Sequence, residues 1–270
     1  MDLQLKGKRA LVTGSSAGLG EGTAHVLARE GASVVVHGRN AERAQAVAEA
    51  IKAEGGHAVV ALGDLATNEG AKAAAESAVS QLGGIDILVN NAGGYEGNEV
   101  PAWFDLTPEK WLETFQMNTL ATFRMVKALV PAMKERGWGR VVNFSTGGAM
   151  EPVPQQADYC ASKAAIANLT MSLSRELTAT GVTVNTLSPG VIRTARFEQW
   201  VSGIGQSMGW EGDYHAIESR FIREFFPNTV GHAGRIEDIA NAVAFLVSPR
   251  ADFITGANLR VDGGQLRGLN

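Results

Sequence analysis

The apolar positions along the chain fall into two kinds of run. Short continuous runs at 9–13 (RALVT), 33–37 (SVVVH), 58–62 (AVVAL) and 86–90 (DILVN) have strand length and little polar alternation. That is the pattern of strands buried on both faces. The runs at 140–144 (RVVNF), 182–187 (VTVNTL) and 258–262 (NLRVD) continue the series. Between them, longer Ala-rich segments at 19–30, 41–54, 69–82, 108–134, 157–179 and 236–247 predict helices. Two carry entry signals: Thr107 ahead of Pro108 and Glu109, and Asn68 ahead of Glu69.

Strand and helix alternating this regularly imply right-handed βαβ crossovers and a parallel sheet covered on both faces. The predicted fold is a doubly wound α/β three-layer sandwich around a parallel sheet of about seven strands. No Pro/Ser-rich linker, charge run or repeat divides the chain, so residues 1–270 read as one domain. The exception is 195–228, where the alternation lapses and Phe197, Trp200, Trp210, Tyr214, Phe221, Phe225 and Phe226 gather. A long insertion of this kind reads as a substrate lid. Aromatics packed in an oligomer interface or a satellite core are the other reading.

Composition sharpens the picture in a few places. Apolar residues make up 45% of the chain and charged residues 19%, the profile of a packed globular protein. Glycine, at 32 of 270 residues, exceeds the usual ~7% and points to tight turns or close backbone approaches. A net charge of −4 leaves no basic footprint for nucleic acid. A lone cysteine, Cys160, excludes an internal disulfide and fits a reducing compartment. No apolar run approaches the ~18 residues of a membrane span, and MDLQLKGKRALV lacks the apolar core of a signal peptide. The expectation is a cytoplasmic protein with no membrane or nucleic-acid partner.

The first strand runs into Gly14-Ser15-Ser16-Ala17-Gly18-Leu19-Gly20, directly before a predicted helix. Glycines there permit a tight turn and close approach to a pyrophosphate, and the helix offers free N–H groups. At the end of the second strand, a protein selecting NAD would place a carboxylate for the ribose hydroxyls. Here the chain reads His37-Gly38-Arg39-Asn40. An arginine can bond a 2′-phosphate that a carboxylate would repel, so NADP(H) is the preferred cofactor, with NAD(H) possible. Asp64 and Leu65, after the third strand, offer an acceptor for an adenine amine, or a plain helix-entry turn. Farther on, YCASK places Tyr159 and Lys163 four apart, on one face of a helix. A phenol titrates near ~10, and a nearby ammonium lowers that value toward use as an acid or base.

These features, with Asn90-Asn91-Ala92-Gly93 after the fourth strand, resemble the short-chain dehydrogenase/reductase family from Lys8 to Gly264. The resemblance implies a Rossmann-like fold and an enzyme that interconverts a ketone and a secondary alcohol. It also implies that Thr13 to Gly20 binds the cofactor pyrophosphate and that Asn91, Ala92 and Gly93 line the cofactor site. Pro189, Gly190, Ile192 and Thr194 match the segment contacting the nicotinamide, and Lys163 would bond its ribose. Asn118 matches the family's fourth catalytic residue, expected to hold a water that links Lys163 to solvent. Homo-oligomers, often tetramers, are implied as well.

The family's catalytic hydroxyl lies thirteen residues before the tyrosine, which here is Thr146 where relatives usually carry serine. A loop one residue longer would put Ser145 there instead; the spacing from Arg140 favours Thr146. Gly94, Tyr95, Met150, Pro152, Gln155, Gln156 and Trp200 are the expected substrate lining, suited to a medium-sized, partly apolar small molecule. A reductase of acyl groups carried on a protein is the alternative, and a non-catalytic NADP-binding sensor or scaffold the more remote one. His25, His37, His57, His215 and His232 show no metal-ligand spacing, so no metal is expected. Neither a G-x-S-x-G elbow nor a Cys/His pair supports a hydrolase, and Cys160 reads as a small buried residue.

Overall fold

A computed structural model describes residues 1–95 and 102–268. In chain order these form β1 (Arg9–Val12), α1 (Gly18–Arg29), β2 (Ser33–Gly38), α2 (Ala41–Ala53), β3 (His57–Leu62), α3 (Asn68–Leu82) and β4 (Ile87–Asn90). There follow α4 (Pro108–Phe115), α5 (Ala121–Arg136), β5 (Gly139–Phe144), α6 (Ala157–Glu176) and β6 (Val182–Pro189). The chain closes with α7 (Ala195–Ser207), α8 (Tyr214–Phe225), α9 (Ile236–Leu246) and β7 (Asn258–Val261).

The described strands make one parallel seven-stranded sheet in the order β3-β2-β1-β4-β5-β6-β7. Pleating sends alternate residues to opposite faces. Ala10, Val12, Val34, Val36 and Val89 pack under α1, α2 and α9, whereas Leu11, Val35 and Leu88 pack under α3 and α5. With both faces covered, the continuous apolar runs have their explanation. The strand order reverses between β1 and β4, and a crevice opens beyond their carboxyl ends, where open α/β sheets bind ligands. No helix among the described residues is long and apolar enough to cross a membrane.

Three expectations need correction. The cap of α3 is Thr67, one residue before Asn68: its Oγ1 accepts the Gly70 N–H at 3.0 Å, while Asn68 Oδ1 accepts from Arg124 Nε at 2.7 Å. The segment 108–134 is not one helix, because Gln116–Leu120 form a π-helical turn between α4 and α5. Such turns insert an extra residue and re-aim the side chains around them, and here the turn carries Asn118 into the interior. Lastly, 195–228 is not an irregular insertion. It contains α7, capped by Thr194 on Phe197 N–H (3.2 Å), and α8, capped by Asp213 on Ala216 N–H (2.9 Å). Its aromatics do form a satellite core: Phe197, Val201, Trp210, Phe221, Ile222 and Ala233 pack together, apart from the two faces of the sheet.

Candidate active site

The crevice at the switch point is built first by glycine. Gly14 turns the chain out of β1 at φ +65°, and a Cβ on it would stand 2.9 Å from Ala92 Cα. A Cβ on Gly20 would stand 2.5 Å from Asn91 Nδ2 and 2.6 Å from Gly14 O. The Asn91 turn locks against this loop. Its Nδ2 donates to Thr13 O at 2.9 Å, and Thr13 Oγ1 accepts the N–H groups of Asn91 and Ala92 at 3.0 and 2.9 Å. α1 starts at Gly18 with no side-chain cap, so its first N–H groups are available to an anion.

The resulting cavity of about 460 Å³ is lined by Gly14, Ser16, Leu19, Arg39, Asp64 and Leu65 among others, with Asn91, Ala92, Gly93, Gly94 and Tyr95 along the β4 side. Ser15 is not among them: it is buried, and its Oγ donates to Val12 O at 2.6 Å. Gly18 and Gly20 act from behind the lining, through the turn and the close packing. Three residues that sequence reasoning missed or left unassigned also line it: Arg43, Arg196 and the buried His37. Arg43 lies in the first turn of α2, four residues beyond Arg39, and that nearness in sequence could have found it. Arg196 arrives from α7 through space, and no local pattern signals it. The donors and shape fit a dinucleotide phosphate chain, with Arg39 and Arg43 placed where a 2′-phosphate would be accommodated and no carboxylate ending β2.

The second half of the site rests on β5 and α6. Tyr159 and Lys163 lie on one face of α6, and Lys163 Nζ sits 6.0 Å from the centre of the Tyr159 ring. That ammonium is buried, donates to Phe144 O at 3.0 Å, and is pushed down to about 8 by desolvation. Desolvation also drives the Tyr159 phenol up to about 12, partly offset by a hydrogen bond from the Thr146 side chain. In the protein by itself the phenol therefore moves up and not down as the sequence suggested, with burial the largest cause.

Of the two adjacent hydroxyls, Ser145 is buried and donates to Lys163 O at 2.9 Å, while the Thr146 side chain meets the Tyr159 phenol. Asn118 is wholly buried. Its Oδ1 accepts the Gly94 N–H at 2.8 Å, and its Nδ2 donates to Gly94 O and Ser162 Oγ, each at 3.1 Å. The side chain thus fixes the Gly94 turn, and a Cβ on Gly93 would stand 2.3 Å from its Oδ1. Tyr95 meets Tyr159 edge-on at 6.4 Å. Asp158, which the sequence reading passed over, is buried and accepts from Thr114 Oγ1 at 2.6 Å, tying the start of α6 to α4.

The remaining sequence-predicted residues are spread more widely. Gly190 passes so close to β7 that a Cβ would stand 2.7 Å from Asp262 Cα, and Thr194 is spent as the α7 cap. Pro189 ends β6, and Ile192 lines a separate cavity of about 730 Å³ between α8 and the end of β7 that includes neither Tyr159 nor Lys163. Met150 Sδ accepts from Asn258 Nδ2, and Gln156 precedes α6. Trp200 is half exposed, with its ring 4.8 Å from Phe221 and 5.8 Å from Phe226. Among the described residues no group of three His, Cys, Asp or Glu could hold a metal.

Comparison with known proteins decides the family. The family described as short chain dehydrogenase matches residues 8–204. The chain belongs to it. Short-chain dehydrogenases are oxidoreductases of alcohol and carbonyl groups, and several relatives match from end to end. One is the 7alpha-hydroxysteroid dehydrogenase of Escherichia coli, 32% identical over 100% of this chain and 98% of that one. The 3-oxoacyl-acyl-carrier-protein reductase of Staphylococcus aureus is 34% identical over 95% of this chain and 97% of its own. Among solved structures, the L-sorbose reductase of Gluconobacter frateurii, complexed with NADPH and L-sorbose, superposes with a TM-score of 0.91 at 32% identity, covering 100% of both chains.

Proposed function

We propose that this short-chain dehydrogenase is an NADP(H)-dependent oxidoreductase that interconverts a ketone and a secondary alcohol on a medium-sized, partly apolar small molecule. One observation carries the reading: the Tyr159 phenol meets the Thr146 side chain and stands beside buried Lys163, and Tyr95 links this cluster to a glycine cradle rimmed by Arg39 and Arg43. With its phosphates held in that cradle, a reduced nicotinamide cofactor would supply the hydride. Thr146 donates a hydrogen bond to the substrate oxygen. Tyr159 then gives its proton to the alkoxide as it forms. Lys163 stays behind the phenol as a buried donor, and Ser145 and Asn118 hold its surroundings in place.

With its phenol raised to about 12 by burial, Tyr159 is protonated at neutral pH in the free protein and can serve as the proton donor when a carbonyl is reduced. Arg39 takes the 2′-phosphate, with Arg43 beside it, and α7 and α8 cover the substrate. Self-association into a homo-oligomer belongs to the same reading.

The test is oxidation of NADPH and NADH against a panel of carbonyl compounds. Bulky, partly apolar ketones are expected to turn over faster than small charged keto acids, with NADPH preferred. Arg39→Ala weakens NADPH by about 1.5–3 kcal/mol, the worth of a hydrogen bond to a charged group, and leaves NADH little changed. Equal losses for both cofactors overturn the cofactor assignment. Faster turnover of a carrier-bound 3-oxoacyl thioester than of any free ketone replaces the substrate class.

A further inference from the structure

His37 has no part in the chemistry above, yet it is bonded to the phosphate loop in three ways. Its ring Nδ1 accepts the Gly14 N–H at 3.1 Å, its carbonyl accepts the Ser15 N–H at 2.9 Å, and its own N–H donates to Ser15 Oγ at 2.9 Å. The last two bonds need only a backbone at position 37. The first needs this side chain. Gly14 is the residue whose left-handed φ and missing Cβ turn the chain out of β1, so the ring holds the pivot of the loop.

The bond also fixes the tautomer. An N–H must find a lone pair, so Nδ1 is bare and the proton sits on Nε2, which lies against the Gly63 backbone without a full hydrogen bond. The ring is 2% exposed, and desolvation drives it down to about 4 against a weak opposing pull from Gly63 and Asp64. It is a neutral acceptor throughout the neutral range.

We propose that His37 is a positioning residue for cofactor binding: its neutral ring holds Gly14, and with it the first turn of the phosphate loop, in the shape that receives the pyrophosphate. This rests on the cofactor reading above. It names a side chain at the end of β2 that acts through the loop, and it is separate from the choice of 2′-phosphate made by Arg39.

Two variants test it. His37→Leu fills the same space with no acceptor, whereas His37→Asn places its Oδ1 near the position of Nδ1 and can accept the same N–H. Amide hydrogen exchange over residues 13–20 in the free protein reads the loop, and NADPH fluorescence titration reads the cofactor. The leucine variant is expected to exchange faster there and to bind NADPH about 10-fold more weakly, the equivalent of one hydrogen bond. The asparagine variant is expected to restore both to within about 3-fold of the wild type. Unchanged exchange and affinity in the leucine variant overturn the proposal. So does an asparagine variant as impaired as the leucine one, since that outcome assigns the histidine to packing alone. If the wild type binds no NADPH, the cofactor reading falls, and the exchange arm still decides the bond between His37 and Gly14.

Discussion

The proposed floor of the site and its proposed cover are built on different principles. Tyr159, Lys163, Thr146 and Ser145 stand on β5, α6 and the turn between them, anchored in the core. Asn90 Nδ2 donates to Asn143 Oδ1 at 2.8 Å, Asn143 Nδ2 donates to Thr170 Oγ1 at 2.9 Å, and Ser145 N–H donates to Leu187 O at 2.8 Å. That chain of bonds runs from β4 through β5 to α6 and β6. By contrast, α7 and α8 pack chiefly on each other, through their own aromatic cluster. A partly buried ion pair, Arg193 with buried Glu218, ties α8 to the segment after β6, with Arg193 Nε 2.9 Å from Glu218 Oε1. The floor is fixed from several sides and suits a reaction that tolerates little displacement, whereas the α7–α8 pair rests on its own cluster.

This contrast predicts that damage to the floor appears in kcat and damage to the cover in KM. Tyr159→Phe breaks the comparison most directly. It removes the proton donor while leaving the ring in place, and kcat is expected to fall about 10³-fold. The NADPH dissociation constant, measured separately, should hardly move. A residual kcat above a tenth of the wild type would remove Tyr159 from the chemistry.

Lys163→Met asks what the rigid floor costs. Burial holds the Lys163 ammonium down to about 8, against 10.5 normally. Below pH 8 both the folded and unfolded chains carry the charge, and the folded one bears the penalty of burying it. Between 8 and 10.5 the folded chain sheds its proton first, so the penalty fades and stability rises with pH. Tyr159, raised to about 12, acts with the opposite sign: the folded chain keeps a proton that the unfolded one loses, and stability falls between about 10 and 12. The methionine variant is therefore expected to exceed the wild type by on the order of 3 kcal/mol at pH 7, and to converge with it near 10.5. Urea unfolding at pH 7, 9 and 10 measures the difference. A variant that is destabilised equally at all three assigns Lys163 a net stabilising role.

A smaller effect separates the two neighbouring hydroxyls. Thr146→Ala is expected to lower kcat about 10²-fold, the usual loss when one donor to a developing oxyanion is removed. Thr146→Ser should keep most of the activity. Ser145→Ala leaves Lys163 O short of one donor and should cost about 1 kcal/mol in stability with little change in kcat. The reverse pattern moves the substrate contact to Ser145.

Much of the floor could be read in the sequence, and much of the cover could not. The buried strands appear as continuous apolar runs, and Tyr159 and Lys163 declare their shared face by spacing alone. The phenol's direction of titration was not legible, since a sequence displays the lysine's charge but not the depth at which both groups are buried. Gly203 and Gly205 interrupt the apolar period of α7, and Gly209 and Gly212 mark the turn before α8, so the stretch reads as a loop although the caps Thr194 and Asp213 stand in the sequence. Asn68 precedes Glu69 as a cap would, but Thr67 reaches the free N–H first. Arg196 and His37 reach the crevice through tertiary placement, which no local pattern carries.

Trp200 gives the smallest expected effect and the finest test of the contrast. Its ring is 48% exposed and packs edge-on against Phe221 and Phe226, so Trp200→Ala removes only part of a buried contact. An aromatic contact of this kind is worth about 0.5–1.5 kcal/mol beyond its area, and loss of stability is expected to stay near that range. If α7 and α8 cover the substrate, KM for a bulky apolar ketone rises a few-fold, while kcat and the KM for a small ketone hold. Lowered kcat with all substrates alike would mean that the aromatic cluster braces the floor and that the two regions are one mechanical unit. Unchanged kinetics with a lowered melting temperature would leave the cluster a satellite core, with the exposed edge of Trp200 turned away from the substrate.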